Sequence, residues 1–229
     1  MASDAPRRRG RHAEGARNDR RLLDAARDVF ASQGSAATVA AVAERAGLGV
    51  ASLYRRYGSK TELLQQLCVL AMRQSIEVAT DALAVTDAAE ALTGYIRACV
   101  VLRTGALAPL AGTIDVTPEM LALSREGRRL HQAIVERAQT DGRLRPDVTP
   151  LDISWMIEQF ARTAPAADAS DEDRGVHQRL LAIAIDGLYS REASPLPGKP
   201  PSAEHYERRW QRPDEGSDCE RLRLFLDCQ

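Results

Sequence analysis

The stretch from Thr38 to Lys60 constrains the fold of this chain most strongly, because it contains two short amphipathic helical patterns separated by a glycine. In the first pattern, apolar residues recur at the i, i+3, i+4, i+7 spacing of a one-faced helix, and Gly47 follows in the position of a left-handed cap. The second pattern runs from Val50 to Tyr57, and Gly58 ends it. Two helices of about two turns each, joined by a Gly-containing turn, predict a helix-turn-helix.

The second of these helices has the length and the side chains expected of a helix that enters a DNA groove. Eight residues span about 12 Å at ~1.5 Å per residue, and the major groove is about 12 Å wide. Its polar side chains are donors suited to phosphates and base edges. Ser59 and Glu62 form a capping-box pattern at the start of the next helix, whose positive end suits a phosphate. The alternative is an amphipathic hairpin with a solvated basic face.

The same segment resembles the DNA-binding domain of TetR-type transcriptional regulators. The resemblance is dense from Asn18 to Leu67 and extends over the rest of the chain only in its helical outline. Gly49 and Val50 depart from it, because the family usually has Ser or Thr at the first position and many members have Lys at the second. The elements that carry the resemblance are Leu23-Asp24-Ala25-Ala26, Phe30-Ala31-Ser32-Gln33-Gly34, Thr38-Val39, Ala46-Gly47-Leu48, Ser52-Leu53-Tyr54-Arg55-Arg56-Tyr57 and Ser59-Lys60.

Residue chemistry and the resemblance together predict which residues contact DNA. At Gly49 a hydroxyl-to-phosphate contact is missing, and contacts at Val50 are expected to be apolar or absent. Double-stranded operator DNA is the expected partner. The predicted DNA-binding residues are Thr38, Gly49, Val50, Ser52, Tyr54, Arg55, Arg56, Ser59 and Lys60.

The distribution of charge agrees with a nucleic-acid-binding end. The net charge of the chain is −1, but residues 1–60 hold 12 Lys and Arg against 6 Asp and Glu, and the remaining 169 residues hold 19 against 26. The first part has a net charge of +6 and the remainder a net charge of −7. Because DNA repels negative charge, the acidic remainder is expected to face away from a duplex. Residues 1–17 show no apolar period and predict a flexible basic arm. Its arginines either follow the DNA or are only solvated; they are Arg7, Arg8, Arg9 and Arg11.

Abundant Ala and Leu with few aromatic residues predict an all-α fold. A three-helix N-terminal DNA-binding domain with the helix-turn-helix is expected at residues 18–62, and its first helix is predicted at residues 18–33 with Asn18 and Asp19 as caps. A larger helical ligand-binding and dimerisation domain follows at residues 63–192. A Pro-rich linker and C-terminal tail occupy residues 193–229. In the tail, Tyr206 and Trp210 are expected to dock on the body, and an apolar cluster without an assigned role follows at Leu222, Leu224, Phe225 and Leu226.

One long helix is predicted from Ser59 to about Thr80, and it is expected to transmit movement between the two domains. Further helix starts are marked by capping residues, two of which precede a proline; they are Asp87, Thr117, Thr149 and Ser170.

The last two helices, at about residues 150–166 and 170–190, are apolar on more than one stripe. A monomer would leave part of this surface exposed. The pattern therefore predicts a homodimer held by a four-helix bundle around a two-fold axis, with a roughly palindromic operator. A helix pair buried within one chain is the alternative.

The resemblance implies that a small molecule bound among the helices of the second domain lowers the affinity for the operator. His131 and Gln159 are the polar candidates and are expected to orient it, although an ordinary core role is the alternative for every candidate. Repression is the default expectation, because a bound dimer blocks a promoter. The ligand-binding candidates are Leu67, Met72, Tyr95, Cys99, Met120, Leu123, His131, Trp155, Gln159 and Phe160.

Other classes of function find less support in the sequence. No catalytic, phosphate-binding or metal-ligand pattern occurs, so no cofactor or metal is expected and an all-helical enzyme is a weak alternative. A ligand-independent DNA-binding or architectural protein is the stronger one. The four cysteines lack ligand spacing, no signal peptide is recognisable and no apolar run reaches 18 residues. These features predict reduced thiols and a cytoplasmic protein without a membrane span.

Overall fold

The computed structural model describes residues 5–110, 112–165, 169–189 and 194–208 of the 229-residue chain. The side chains of residues 5–16, 35 and 206–207 are not part of that description. Within these ranges the regular structure is helical, apart from turns, as predicted. The α-helices are α1 (Ala5–Gln33), α2 (Val39–Ala46), α3 (Val50–Tyr57), α4 (Lys60–Ala84), α5 (Ala88–Val101), α6 (Pro118–Thr140), α7 (Pro150–Arg162), α8 (Asp171–Leu188) and α9 (Ala203–Arg208).

Helices α1, α2 and α3 form the N-terminal head. The predicted ends of α2 are confirmed: the Thr38 hydroxyl accepts a hydrogen bond from the amide of Ala41, and Gly47 closes the helix in the left-handed conformation at φ 64°. Phe30, Val42 and Leu53 are buried in one core, as their spacing predicted. The head is thus the predicted helix-turn-helix packed on a long first helix.

Helix α1 begins at Ala5, well before the predicted start at Asn18. The predicted flexible arm is therefore helical from residue 5 onward, and the predicted capping by Asn18 and Asp19 is wrong because both lie inside the helix. Residues 5–17 consist largely of good helix formers. Once a helix has formed, extending it by one residue costs little free energy. The added residue gains one backbone hydrogen bond, and the unfavourable nucleation step is not repeated.

Helix α4 runs through both cores, as expected for a connecting rod. Its 25 residues span about 37 Å at ~1.5 Å per residue. Leu63 and Leu67 belong to the core of the head, whereas Ala79 and Ala82 belong to the core of the body. The predicted capping box at its start is only half formed. The Ser59 hydroxyl accepts from the Glu62 amide, but the Ser59 amide donates to the carbonyl of Tyr57.

Helices α5 to α8 build the body around a second core. Their predicted starts are confirmed, with a full capping box at Thr149 and side-chain caps at the other three positions. His177 of α8 lies edge-on to Phe160 of α7, and its Nε2 is 3.0 Å from the carbonyl oxygen of Phe160. The Tyr189 hydroxyl, just after α8, donates to the carbonyl of Ala89 in α5. Helix α8 is therefore tied to both α5 and α7.

Two segments outside the long helices also pack on the molecule. The connector between α5 and α6 (residues 102–117) contributes Leu107, Leu110 and Ile114 to the core of the head. Beyond α8, the Pro-rich linker leads to α9, where His205 stacks on Trp155 of α7 with ring centroids 6.0 Å apart.

Some sequence expectations fall outside what the structure describes. The predicted docking of the Tyr206 and Trp210 side chains, and the apolar cluster of the tail, lie outside the described residues. None of the described helices combines the length and apolar character needed to cross a bilayer.

Candidate nucleic-acid interface

Helix α3 presents its polar face outward because one buried leucine fixes its orientation. Leu53 is buried in the core of the head, while Ser52, Tyr54, Arg55 and Arg56 are exposed. At about 100° per residue, Arg55 points almost opposite to Leu53, Ser52 and Tyr54 lie on the two flanks, and Arg56 lies about 60° from Leu53 at the edge of the buried side. The four predicted donors therefore share one accessible surface.

The turn that leads into α3 is held by α1. Nη2 of Arg21 donates to the carbonyl of Ala46 at 2.8 Å, which occupies one of the free carbonyls at the end of α2. Gly49 then caps α3 without a side chain, and Val50 is exposed at its first turn. An extra atom on Gly49 would meet nothing within 4 Å, so backbone can approach a ligand there.

Ser52 and Arg55 are paired with each other on this surface. Nη2 of Arg55 donates to the Ser52 hydroxyl at 2.9 Å. The bond orients the guanidinium across α3, while its remaining N–H groups are available to a base or a phosphate. A guanidinium held in one direction loses less entropy when it binds a planar acceptor.

Arg56 is instead engaged by Asp19 of α1. Its Nη2 lies 2.7 Å from Oδ1 and 2.8 Å from Oδ2 of that carboxylate, and its guanidinium also sits over the ring of Tyr57 at 5.2 Å. The Tyr57 hydroxyl donates to Oδ1 of Asp19 at 2.9 Å. Burial, with help from the Asp19 carboxylate, raises the pKa of Tyr57 to about 12. A DNA phosphate would have to compete with Asp19 for Arg56.

The residues at the flanking helix starts keep their donors. The hydroxyl oxygens of Thr38 and Ser59 accept backbone hydrogen bonds as caps, which leaves each hydroxyl proton free to be donated. Lys60 is exposed in the first turn of α4. Cap hydroxyls, a lysine and the positive end of a helix are all suited to phosphate oxygens.

Asp19 is the functional candidate that the sequence pattern missed. It was predicted as a helix cap, and its partner lies 37 residues away in the sequence. A charge pair between helices follows no local period, so only the packing of α1 on α3 brings the two groups together.

The ten predicted ligand-binding residues do not come together in one place. Gln159 is exposed and is bonded to Arg162, and Trp155 lies under His205 on the outside of α7. The other eight divide between the two cores. Leu67, Met72, Met120 and Leu123 pack with the head, and Tyr95, Cys99, His131 and Phe160 pack in the body.

His131 is the most polar of the body group. Its ring lies 5.3 Å from that of Tyr95, and its Nε2 is 2.7 Å from the carbonyl oxygen of Pro150, so this nitrogen carries the proton. Nδ1 is buried and has no hydrogen-bond partner among the described residues. Burial lowers the pKa of His131. Burial also raises the pKa of the Cys99 thiol to about 11, so this side chain is a neutral thiol.

Two family models match the chain. Residues 22–67 match the N-terminal domain described as bacterial regulatory proteins of the tetR family, and residues 87–190 match the C-terminal domain described as transcriptional regulator SbtR-like. No curated protein matches the chain.

Solved structures share its fold. The TetR transcriptional regulator SCO0520 from Streptomyces coelicolor is 21% identical, with a TM-score of 0.53 over 76% of this chain and 99% of that one. The TetR regulatory protein from Mycobacterium vanbaalenii is 24% identical, with a TM-score of 0.52 over 78% and 99%. The ketosteroid transcriptional regulator KstR2 of Mycobacterium tuberculosis is 21% identical, with a TM-score of 0.53 over 74% and 94%.

The matched domains account for both the head and the body, and the residues that carried the sequence resemblance form the helix-turn-helix itself. Members of this family are regulators and not enzymes. The chain belongs to the TetR family of transcriptional regulators.

Proposed function

We propose that this protein is a ligand-responsive repressor that binds a roughly palindromic operator as a homodimer and is released by a small molecule. The observation that carries the proposal is the outward face of α3, on which Ser52, Tyr54, Arg55 and Arg56 are exposed together beside the start of α4, where Lys60 is exposed too. As a regulator of operator DNA it would act in the cytoplasm.

We assign different tasks to the residues of this surface. Arg55 is held by Ser52 and is the best placed to read a guanine edge through two parallel hydrogen bonds. Tyr54, Thr38 and Lys60 would bind phosphates and set the position of α3 in the groove. The proposed set also includes the backbone at Gly49, an apolar contact of Val50 with a thymine methyl group, the Ser59 hydroxyl, and Arg56 once it leaves Asp19.

The homodimer is supported by an unpaired apolar stripe on α8. Val176, Leu180 and Ile183 follow each other at helical spacing and are all exposed. The predicted interface used both α7 and α8. On the outer side of α7, however, Trp155 lies under His205, so we propose that α8 contributes most of the contact.

The proposed effector site lies in the body. We place it in the core of the body, near Tyr95, Cys99, His131 and Phe160, because Nδ1 of His131 is a buried acceptor without a hydrogen-bond partner among the described residues, and its ring contacts Tyr95 of the apolar core. A ligand with one hydrogen-bond donor and an apolar frame would match that site. To be useful it must discriminate the DNA-bound from the free form by ~1–3 kcal/mol or more.

Selection of bound duplexes from a random pool tests the proposal. We expect a two-fold-related sequence to emerge, with Arg55→Ala changing the preferred base at one position in each half-site. Tyr54→Phe should weaken binding to all sequences alike, because it removes a phosphate contact. An enriched pool without any sequence preference would favour the architectural class instead.

A further inference from the structure

One carboxylate in the head is held by arginines from two different parts of the chain. Asp28, on α1, accepts from Nε and Nη2 of Arg45 in α2 at 3.0 and 2.8 Å through Oδ2. Its other oxygen, Oδ1, lies 2.5 Å from Nη1 of Arg103, which follows the end of α5. Asp28 therefore joins the first helix of the helix-turn-helix to the body through two ion pairs that contain three charge-assisted hydrogen bonds.

The backbone at Arg103 is unusual. Its φ is 51°, and it is the single non-glycine residue with a positive φ in the part of the chain that the structure describes. This left-handed conformation costs an ordinary residue roughly 1–2 kcal/mol and is commonly filled by glycine at the end of a helix. Here an arginine occupies it with a side chain only 15% exposed and directed to Asp28.

The connector that contains Arg103 touches both parts of the molecule. A Cβ on Gly105 would come within 2.8 Å of the Cα of Glu158, so the connector lies directly against the backbone of α7. A few residues later, Leu107 and Leu110 enter the core of the head. Movement of α7 would consequently displace the connector, and Arg103 with it.

We propose that Asp28 is a positioning residue, which sets the orientation of the helix-turn-helix relative to the body through its bonds to Arg45 and Arg103. The inference rests on the proposed function, because it concerns the distance between two recognition helices in a dimer. That distance depends on how each head is fixed to its body. The chain of contacts from α7 through Arg103 and Asp28 to α2 also gives a body-bound effector a route to the head.

The test measures how strictly the protein requires one spacing between operator half-sites. Duplexes carry the selected operator with base pairs added or removed between its halves, and affinity is measured for each. Arg103→Gly removes the side chain while suiting the backbone conformation, and Asp28→Asn removes the charge. In both variants we expect the affinity ratio between the best and worst spacings to fall by about fivefold or more.

Controls separate positioning from general stability. Glu119→Gln breaks the exposed pair of Glu119 with Arg73, which is 2.7 Å long and shares no residue with the Asp28 contacts, and should leave the spacing ratio unchanged. Arg103→Lys keeps a positive charge and should restore part of the ratio. The head should stay attached to α4 in every variant, because Leu63 and Leu67 of α4 remain buried in the core of the head.

The outcomes distinguish this inference from the proposed function. If the unaltered protein shows no operator preference, the proposed function fails. If it prefers one spacing and Arg103→Gly and Asp28→Asn keep the full ratio, the positioning role of Asp28 is overturned while the repressor proposal stands. An affinity ratio between the best and worst spacings that falls equally in Glu119→Gln would also overturn the positioning role of Asp28, since the effect would then reflect stability alone.

Discussion

The substitution Leu180→Asp should separate the dimer into monomers. Leu180 lies at the centre of the α8 stripe, where Val176 is 53% exposed, Leu180 53% and Ile183 59%. Spacings of four and three residues place the three side chains on one face of the helix. Around a two-fold axis the same stripe of a second copy would cover them.

The exposed fractions of the three side chains determine how much dimer stability Leu180→Asp should remove. Complete burial of a Val, Leu or Ile side chain contributes about 1.5–3 kcal/mol, so covering the exposed half of each contributes about 1 kcal/mol. Six such side chains in a dimer give about 6 kcal/mol of favourable burial. Leu180→Asp removes about 2 kcal/mol of this and places two carboxylates in an apolar contact, which costs several kcal/mol more. A loss of about 4 kcal/mol or more corresponds to at least a thousandfold weaker dimer.

Sedimentation of the unaltered protein and of the variant over a range of concentrations checks this expectation. Leu121→Asp is a matched control, because Leu121 is 46% exposed on α6 and lies outside the stripe. We expect Leu121→Asp to remain a dimer and Leu180→Asp to become a monomer that binds single half-sites only. If Leu180→Asp dimerises as strongly as the control, α8 is not the interface and the burial argument is refuted.

Three further predictions concern single residues. Leu53→Ala should lower the free energy of unfolding by about 2–5 kcal/mol in urea denaturation, because it leaves a cavity where α3 packs on the rest of the head; an unchanged midpoint would contradict this. Asp19→Asn should release Arg56 and raise the affinity for all duplexes, and the pKa of Tyr57 should fall below about 12 in an ultraviolet titration; unchanged values would show that Asp19 does not compete with DNA. His131 has a lowered pKa when folded, so the unfolded chain binds more protons and stability should fall as the pH drops below about 6.5. His131→Gln should reduce that slope between about pH 7.5 and about pH 5.5, and an equal slope would assign the pH dependence to other groups.

The helix-turn-helix was predictable because its signals are local. Thr38 caps α2, Gly47 ends it and Gly58 ends α3, as their positions in the pattern indicated. The same holds for the helix that starts at Thr149. A cap acts within one helical turn, so its effect does not depend on how distant segments pack.

The candidate interface was predictable only in part. The exposure of Arg55 and Arg56 agrees with the prediction, and for Arg55 the reason is that burying Leu53 turns it to the opposite side of α3. The engagement of Arg56 by Asp19 was not predicted, and the ligand-binding candidates divide between two cores that the periodicity could not distinguish. An apolar stripe indicates that a helix face is buried without indicating which neighbour covers it.

The order of the helices, their caps, the outward basic face of α3 and the resemblance to a regulator family were determined by the sequence alone, because each depends on residues within a few turns of one another. Tertiary structure decided which charges meet. Asp28 and Arg103 are 75 residues apart, and they meet only because the connector folds back on α1. Contacts of this kind depend on how whole helices and loops pack. They stabilise the fold only after the elements that carry the two residues have formed.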